Sequence, residues 1–123
     1  MVINVIILVQ QDHHREEDVN IADSDGETPL NFACEKLHTD IVSLLLSHDG
    51  TDVNKAVSHA WTPLNIACGR GNTDIVSLLL SHDGIDISRA NRYGNTPLNT
   101  ASEQGHTDIV SLLMSYGCVD VNS

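Results

Sequence analysis

The sequence predicts an all-α dominated solenoid: helix-turn-helix units carrying hairpin fingers, three full copies with a partial copy at each end. Three observations carry this reading. The string Thr-Pro-Leu-Asn begins at Thr28, Thr62 and Thr96, 34 residues apart each time. Ile-Val-Ser-Leu-Leu recurs at the same period from Ile41, Ile75 and Ile109. The apolar arc of that second string is too wide for one partner helix to cover, so each unit needs a neighbour on its far side. Self-similarity at a fixed spacing of this length is the signature of a stacked array rather than of a single central core.

The chain opens with Val2, Ile3, Val5, Ile6, Ile7, Leu8 and Val9, an apolar run interrupted by Asn4. The run has no basic leader and is far too short to span a bilayer, so no signal peptide or transmembrane segment is expected. Residues 1–17 are expected to be a partial repeat or capping helix that covers the bare side of the first full unit. Their β-branched content keeps a strand as the alternative. Gln10 to Asp18 then reads as a polar connection, and His13-His14 as solvated loop, because no Cys or further His stands at ligand spacing.

Full units are expected at 18–51, 52–85 and 86–119. In each, Thr is a good helix N-cap and the following Pro is pre-organised for the first helical position, where its missing N–H costs nothing. The first helix therefore starts at Thr28, Thr62 and Thr96. Leu30, Ala33 and Cys34 share one face, as do Leu64, Ala67 and Cys68, then Leu98, Ala101 and Ser102. Gly71 and Gly105 suit the C-terminal turn of this helix, whereas the first unit has Leu37 there. If the position needs positive φ, Leu37 carries strain, and either a different turn or a locally weaker unit is expected. Thr39-Asp40, Thr73-Asp74 and Thr107-Asp108 then read as an N-cap followed by an acid in the first turn.

The second helix, Ile41 to Leu46 and its copies, ends in Ser-His-Asp-Gly at Ser47 and Ser81, which is turn composition. Asp-Val-Asn at Asp52 starts the next finger. Finger tips fall at Asp25-Gly26, His59-Ala60 and Tyr93-Gly94.

With these strings in register the chain resembles the ankyrin-repeat family over roughly residues 18–122. The residues that carry the resemblance are Gly26 to Ala33, Gly71 to Leu80, Gly105 to Val110, and Asp-Val-Asn at Asp18, Asp52 and Asp120. The resemblance implies a hairpin finger, two antiparallel helices and a loop per unit, stacked into a curved array that binds other proteins on its concave face. It also nominates Asn54 as a hydroxylation acceptor. Two departures stand out. The family usually has His where this chain has Asn31, Asn65 and Asn99, and these Asn side chains are expected to bond the local backbone. The period exceeds the family's usual ~33 by one residue in the connecting loop, which lengthens every loop alike.

Charge is uneven. The window 18–51 holds seven acids and one lysine, while the next two units each hold three acids and two bases, within a total of −11. Such a chain repels phosphate backbones and anionic bilayers, so neither nucleic acid nor membrane is an expected partner. The expected partner is another protein.

Residues that change from unit to unit on a copied frame mark the candidate surface. They are Asp25, Glu27 and Lys36 in the first unit; His59, Trp61 and Arg70 in the second; Arg92, Tyr93, Asn95 and Gln104 in the third. Trp61 aligns with Glu27 and Asn95, so stacking does not require an aromatic there. It reads either as an exposed anchor beside Tyr93 or, with Ala60 bending the finger, as a ring tucked onto its own unit.

His38 and His106 align with Asn72, which points to local hydrogen bonding. His48 and His82 align with Tyr116 and show no constant partner in the sequence. Cys34, Cys68 and Cys118 are spaced against disulfides and zinc, which fits a reducing cytoplasmic or nuclear compartment. No phosphate loop, nucleophile elbow or metal triad is present, so neither enzyme chemistry nor a cofactor is expected.

Asp120-Val121-Asn122 reads as the start of a truncated fourth finger, which leaves Leu113 and Met114 uncovered. The function expected is a non-catalytic protein-protein interaction module using its fingers and concave helix face, with self-association through exposed repeat ends as a further expectation. The alternative is a structural spacer, or a fragment of a longer array without its own partner.

Overall fold

The computed structural model describes Asn20, Ala22 and residues 26–121, with side chains described as far as Tyr116. The apolar run Val2 to Val9, the connection after it and Asp25 lie outside the described residues.

Three helix pairs follow one another. The first is α1, Pro29–Glu35, and α2, Thr39–Leu46. The second is α3, Pro63–Arg70, and α4, Thr73–Leu80. The third is α5, Pro97–Glu103, and α6, Thr107–Val121. Each pair packs on itself, α1 touches α3 and α3 touches α5 in one layer, and α2, α4 and α6 form the other in the same order. This is an all-α solenoid of stacked helix pairs.

The Thr-Pro starts act as the sequence predicts. Thr28, Thr62 and Thr96 are extended N-caps whose Oγ1 accepts the N–H of Asn31, Asn65 and Asn99, 3.2 Å in each case. The faces behind them are closed: Leu30, Ala33, Cys34, Leu64, Ala67, Cys68 and Ala101 are buried. Small side chains at 33, 67 and 101 let the first-layer helices approach, and each buried leucine contributes ~1.5–3 kcal/mol.

The start of the second helix differs from expectation. The N-caps are His38 and Asn72, and Thr39 and Thr73 are already helical. In α4 the Asn72 Oδ1 accepts the N–H of Ile75 at 3.0 Å, the reach a cap needs, which a Thr one residue later does not have. His38 makes no such bond and instead sits edge-on to Phe32, ring centroids 6.3 Å apart. Asp40, Asp74 and Asp108 do occupy first turns.

Leu37 has φ 62 where Gly71 and Gly105 have φ 80 and 75. The turn is therefore the same one and not the different turn that was one of the two expectations, and the Leu37 backbone is strained to keep it. Gly71 is further constrained from outside, because a Cβ there would stand 2.6 Å from the His106 ring.

The carboxamides of the Thr-Pro-Leu-Asn strings do not bond the local backbone; they cross to the next unit. Asn31 Nδ2 donates to Lys55 O at 3.0 Å and Asn65 Nδ2 to Asn95 O at 2.9 Å. A second rung uses the Asp-Val-Asn strings. Asn20 Nδ2 donates to Gly50 O while its Oδ1 accepts from Asp52 N, 2.6 and 2.7 Å. Asn54 repeats both bonds with Gly84 O and Asp86 N, 2.8 and 2.9 Å. His48 and His82 have a constant partner after all: Nδ1 accepts the N–H of Gly50 and Gly84 at 2.9 and 3.0 Å and closes the turn. The N–H of Ser88 on the Asp86 carboxylate, helped by the Ser88 hydroxyl and Arg89, holds that acid below its ordinary range.

At the C-terminal end these devices run out. Ser88 stands where Asn20 and Asn54 stand, and Tyr116-Gly117-Cys118 replaces His-Asp-Gly. With neither the spanning carboxamide nor the imidazole acceptor, nothing stops the helix, and α6 continues to Val121. Asp120 and Val121 therefore belong to a helix and not to the expected fourth finger, and Cys118 is helical as well. Leu113 is buried, contrary to expectation, because its own pair covers it; Met114 and Leu98 are 58% and 37% exposed.

Replacing Leu37→Gly is expected to raise unfolding stability by about 1 kcal/mol in urea denaturation, since it relieves positive φ at an exposed position. Asn65→Ala is expected to cost about 2 kcal/mol, Asn31→Ala about 1, and Asn99→Ala, at an exposed position, less than about 0.5 in the same measurement.

Candidate functional site

The fingers narrow to turns closed by single pairings: Val57 N–H to Trp61 O, and Asn91 N–H to Asn95 O, both 2.9 Å. Gly26 and Gly94 have φ 81 and 84, and Ala60 takes the same left-handed conformation at φ 63 with His59 beside it at φ 63. Two consecutive non-glycine residues with positive φ make a short 3-10 turn, Ser58–Ala60. That turn swings Trp61 back toward its own unit. The ring is half-buried against the core and lies 3.9 Å from where a Cβ would stand on Gly69 of α3. Of the two readings open in the sequence, the geometry corresponds to the tucked ring.

Trp61 lines a cleft of about 310 Å³ between the first and second units. Val57, Trp61 and Ile66 form its apolar floor, Gly69 leaves room for it, and Glu27, Glu35 and Arg70 stand around it. Arg70 Nε lies 3.6 Å from Glu35 Oε2, with both side chains about half exposed (50% and 43%), so the pair is solvent-screened and contributes little to stability.

Ile66 has an unexpected consequence. One unit later its counterpart is Thr100, whose Oγ1 donates to Asn65 Oδ1 at 2.6 Å. Ile66 has no donor; Asn31 Oδ1 is buried without a hydrogen-bond partner, and so is Asn91 Nδ2 at the second junction. A buried unpaired acceptor costs about 1–3 kcal/mol.

A second group forms at the finger tips. His59 and Tyr93 rings lie 5.8 Å apart, and Arg92 N–H donates to His59 O at 2.8 Å, which ties the two fingers together. Tyr93 is 64% exposed and Arg92 is exposed. The structure thus pairs Tyr93 with His59, not with Trp61. Asn95 is half-buried and its backbone serves the turn. Lys36 lies over the Phe32 ring at 5.8 Å, and Gln104 is the exposed C-cap of α5; neither joins the cleft. Asp25 lies outside the described residues. Sequence reading passed over Val57 and Ile66 as framework; their mismatch with Asn91 and Thr100 in the next unit was the available signal.

Cys34 and Cys68 are buried free thiols. Burial, with Glu35 nearby, pushes Cys34 far above the ordinary thiol range, and burial alone pushes Cys68 up to about 12. Both are the reverse of an activated nucleophile. Among the described residues no group of three or more His, Cys, Asp or Glu could hold a metal ion, and no helix is long and apolar enough to cross a membrane.

A family model described as ankyrin repeats (3 copies) matches residues 2–57 and 50–123. No match was found among curated proteins.

At pH 8 the thiols of Cys34 and Cys68 are expected to resist iodoacetamide in the native state and to label fully in urea, read by mass spectrometry of the tryptic peptides. Labelling of either at the rate of a free thiol in the native chain would contradict their burial.

Proposed function

The chain belongs to the ankyrin-repeat family, whose arrays are non-catalytic scaffolds for protein binding, and from that premise we propose that it grips one protein partner through its finger tips and concave helix face. The observation that carries this reading is the rim itself. Tyr93, His59 and Arg92 are held together by a ring contact and a backbone bond, yet present exposed surface that stacking does not use. An aromatic and an arginine on a pre-organised tip are the residue types that dominate binding energy at interfaces.

In this reading the units are 18–51, 52–85 and 86–119, each offering its own rim residues from the same frame. Buried, unpaired Cys34 and Cys68 fit a reducing compartment, the cytoplasm or nucleus. The spacer reading is favoured by one feature, the exposed Leu98 and Met114 on the last unit, which suit a further stacked neighbour.

The test is affinity capture with quantitative mass spectrometry, using the full chain beside Arg92→Ala/Tyr93→Ala. Both positions are exposed, so the thermal midpoint should stay within a few degrees while recovery of a specific partner falls about tenfold or more. A partner recovered equally by both proteins would move the binding face elsewhere, and no specific partner at all would favour the spacer.

A further inference from the structure

We propose that the two Ser-His-Asp-Gly connections are sites of spontaneous covalent modification: Asp49-Gly50 and Asp83-Gly84 cyclise to a succinimide and reopen as isoaspartate, with His48 and His82 taking the amide proton. Three observations meet at each connection. The aspartate is exposed and the next residue is glycine. The glycine N–H, whose proton must leave, points at an imidazole nitrogen: His48 Nδ1 lies 2.9 Å from Gly50 N and His82 Nδ1 lies 3.0 Å from Gly84 N. Both distances fall within the reach of a general base. The glycine carbonyl is held from the other side, by Asn20 Nδ2 at 2.6 Å and Asn54 Nδ2 at 2.8 Å, so the peptide stays beside its base.

The step follows from the atoms in place. Only Cβ, Cα and the carbonyl carbon of Asp83 separate its carboxyl carbon Cγ from Gly84 N, so one new bond closes a five-membered ring. An amide nitrogen attacks from above its own plane, whereas its N–H lies in that plane and points to Nδ1; attack and proton removal therefore use different directions. The proton passes to Nδ1 as the N–Cγ bond forms on the protonated carboxyl. The tetrahedral carbon then expels its hydroxyl, which takes the proton from the imidazolium and leaves as water. Water reopens the ring. Addition at Cγ restores aspartate, and addition at the Asp83 carbonyl carbon breaks its bond to Gly84 N and leaves the chain running through Cγ.

The neighbouring sequence makes the chemistry selective. Asp40, Asp52, Asp74, Asp86 and Asp108 are each followed by Val or Ile, whose branched Cβ crowds the nitrogen. In the third unit Tyr116-Gly117-Cys118 has neither the acid nor the imidazole. Gly84 is exposed where Gly50 is half-buried, so Asp83 is the faster of the two. Its product adds a methylene to the main chain just before Gly84. Gly84 then no longer meets both His82 and Asn54, and the bridge from Asn54 to Gly84 O and Asp86 N is lost. The connection thus carries a slow loosening of the array.

The test is to hold the full chain for weeks at about pH 7 and ~37 °C and to follow isoaspartate in its tryptic peptides by chromatography and fragmentation mass spectrometry. Peptides Leu37–Lys55 and Gly71–Arg89 each contain one Asp-Gly bond and two aspartates followed by Val or Ile, which serve as internal controls. Isoaspartate is expected at Asp83 first and Asp49 second, with the controls unchanged. His82→Asn places an oxygen near Nδ1 that still accepts the Gly84 N–H but is not a base. It is expected to keep the thermal midpoint, to slow Asp83 at least about tenfold and to leave Asp49 unaltered. Asp83→Glu, which cannot close a five-membered ring, is expected to stay unmodified at that position. Chain isolated after modification at Asp83 is expected to unfold at lower urea than unmodified chain.

Equal or faster isomerisation in His82→Asn, or isoaspartate spread evenly over the control aspartates, would overturn the assignment. An unchanged urea midpoint after modification at Asp83 would overturn its effect on the array.

Discussion

A buried carboxamide that reaches into the next unit is the interaction on which the array depends. Asn31 and Asn65 are fully buried and each spans to a finger backbone 24 or 30 residues away. Asn20 and Asn54 bridge a carbonyl and an N–H of the following connection at once. Apolar packing between helix layers supplies most of the stabilisation, but it is non-directional and would tolerate sliding. Hydrogen bonds to peptide groups do not, so the equivalent bridges of Asn20 and Asn54 set the register in which the leucines meet, while Asn31 and Asn65 tie their helices to different points of the next finger. Asn54 is therefore committed to structure at both ends of its amide, whatever else the family resemblance suggests for it.

What happens where the rungs are missing supports that view. Asn99 is exposed, Ser88 lacks the carboxamide that bridges the earlier connections, and Tyr116 lacks the imidazole with which His48 and His82 accept an N–H. The helix that should have stopped runs to Val121. Three copies of the same string, TDIVSLL, thus end differently because of residues that lie outside the string itself.

The two junctions between units divide the same frame between different tasks. At the second, Thr100 closes on Asn65, while the Asn91 Nδ2 is buried without a partner. The first has an apolar cleft lined by Val57, Trp61 and Ile66 instead, and leaves the Asn31 Oδ1 without a partner. Natural arrays tolerate such local losses because stability is shared among neighbouring interfaces. Strain is likewise local: Leu37, His59 and Ala60 hold positive φ without glycine, at one helix end and one finger tip, while the copied helices between them are relaxed.

The repeat, the Thr-Pro starts of the first helices and the buried faces of the first two of them were legible in the sequence, because Thr-Pro caps and period-3.6 apolar residues act over a single turn and need no knowledge of the fold; in the third, Leu98 and Ser102 of the expected face are exposed. Register with Gly71 and Gly105 flagged Leu37 as a position of positive φ or of a different turn, and the fold kept the turn. Partners across the stack were not legible. A carboxamide can satisfy the local backbone or a peptide group in another unit equally well, and only the distance between stacked units decides which it meets. For the same reason the sequence marked Trp61 as distinctive but left its direction open. Two successive left-handed residues and the empty space over Gly69 turn the ring inward, and those are properties of the folded finger and its neighbouring helix, not of the residues read one at a time.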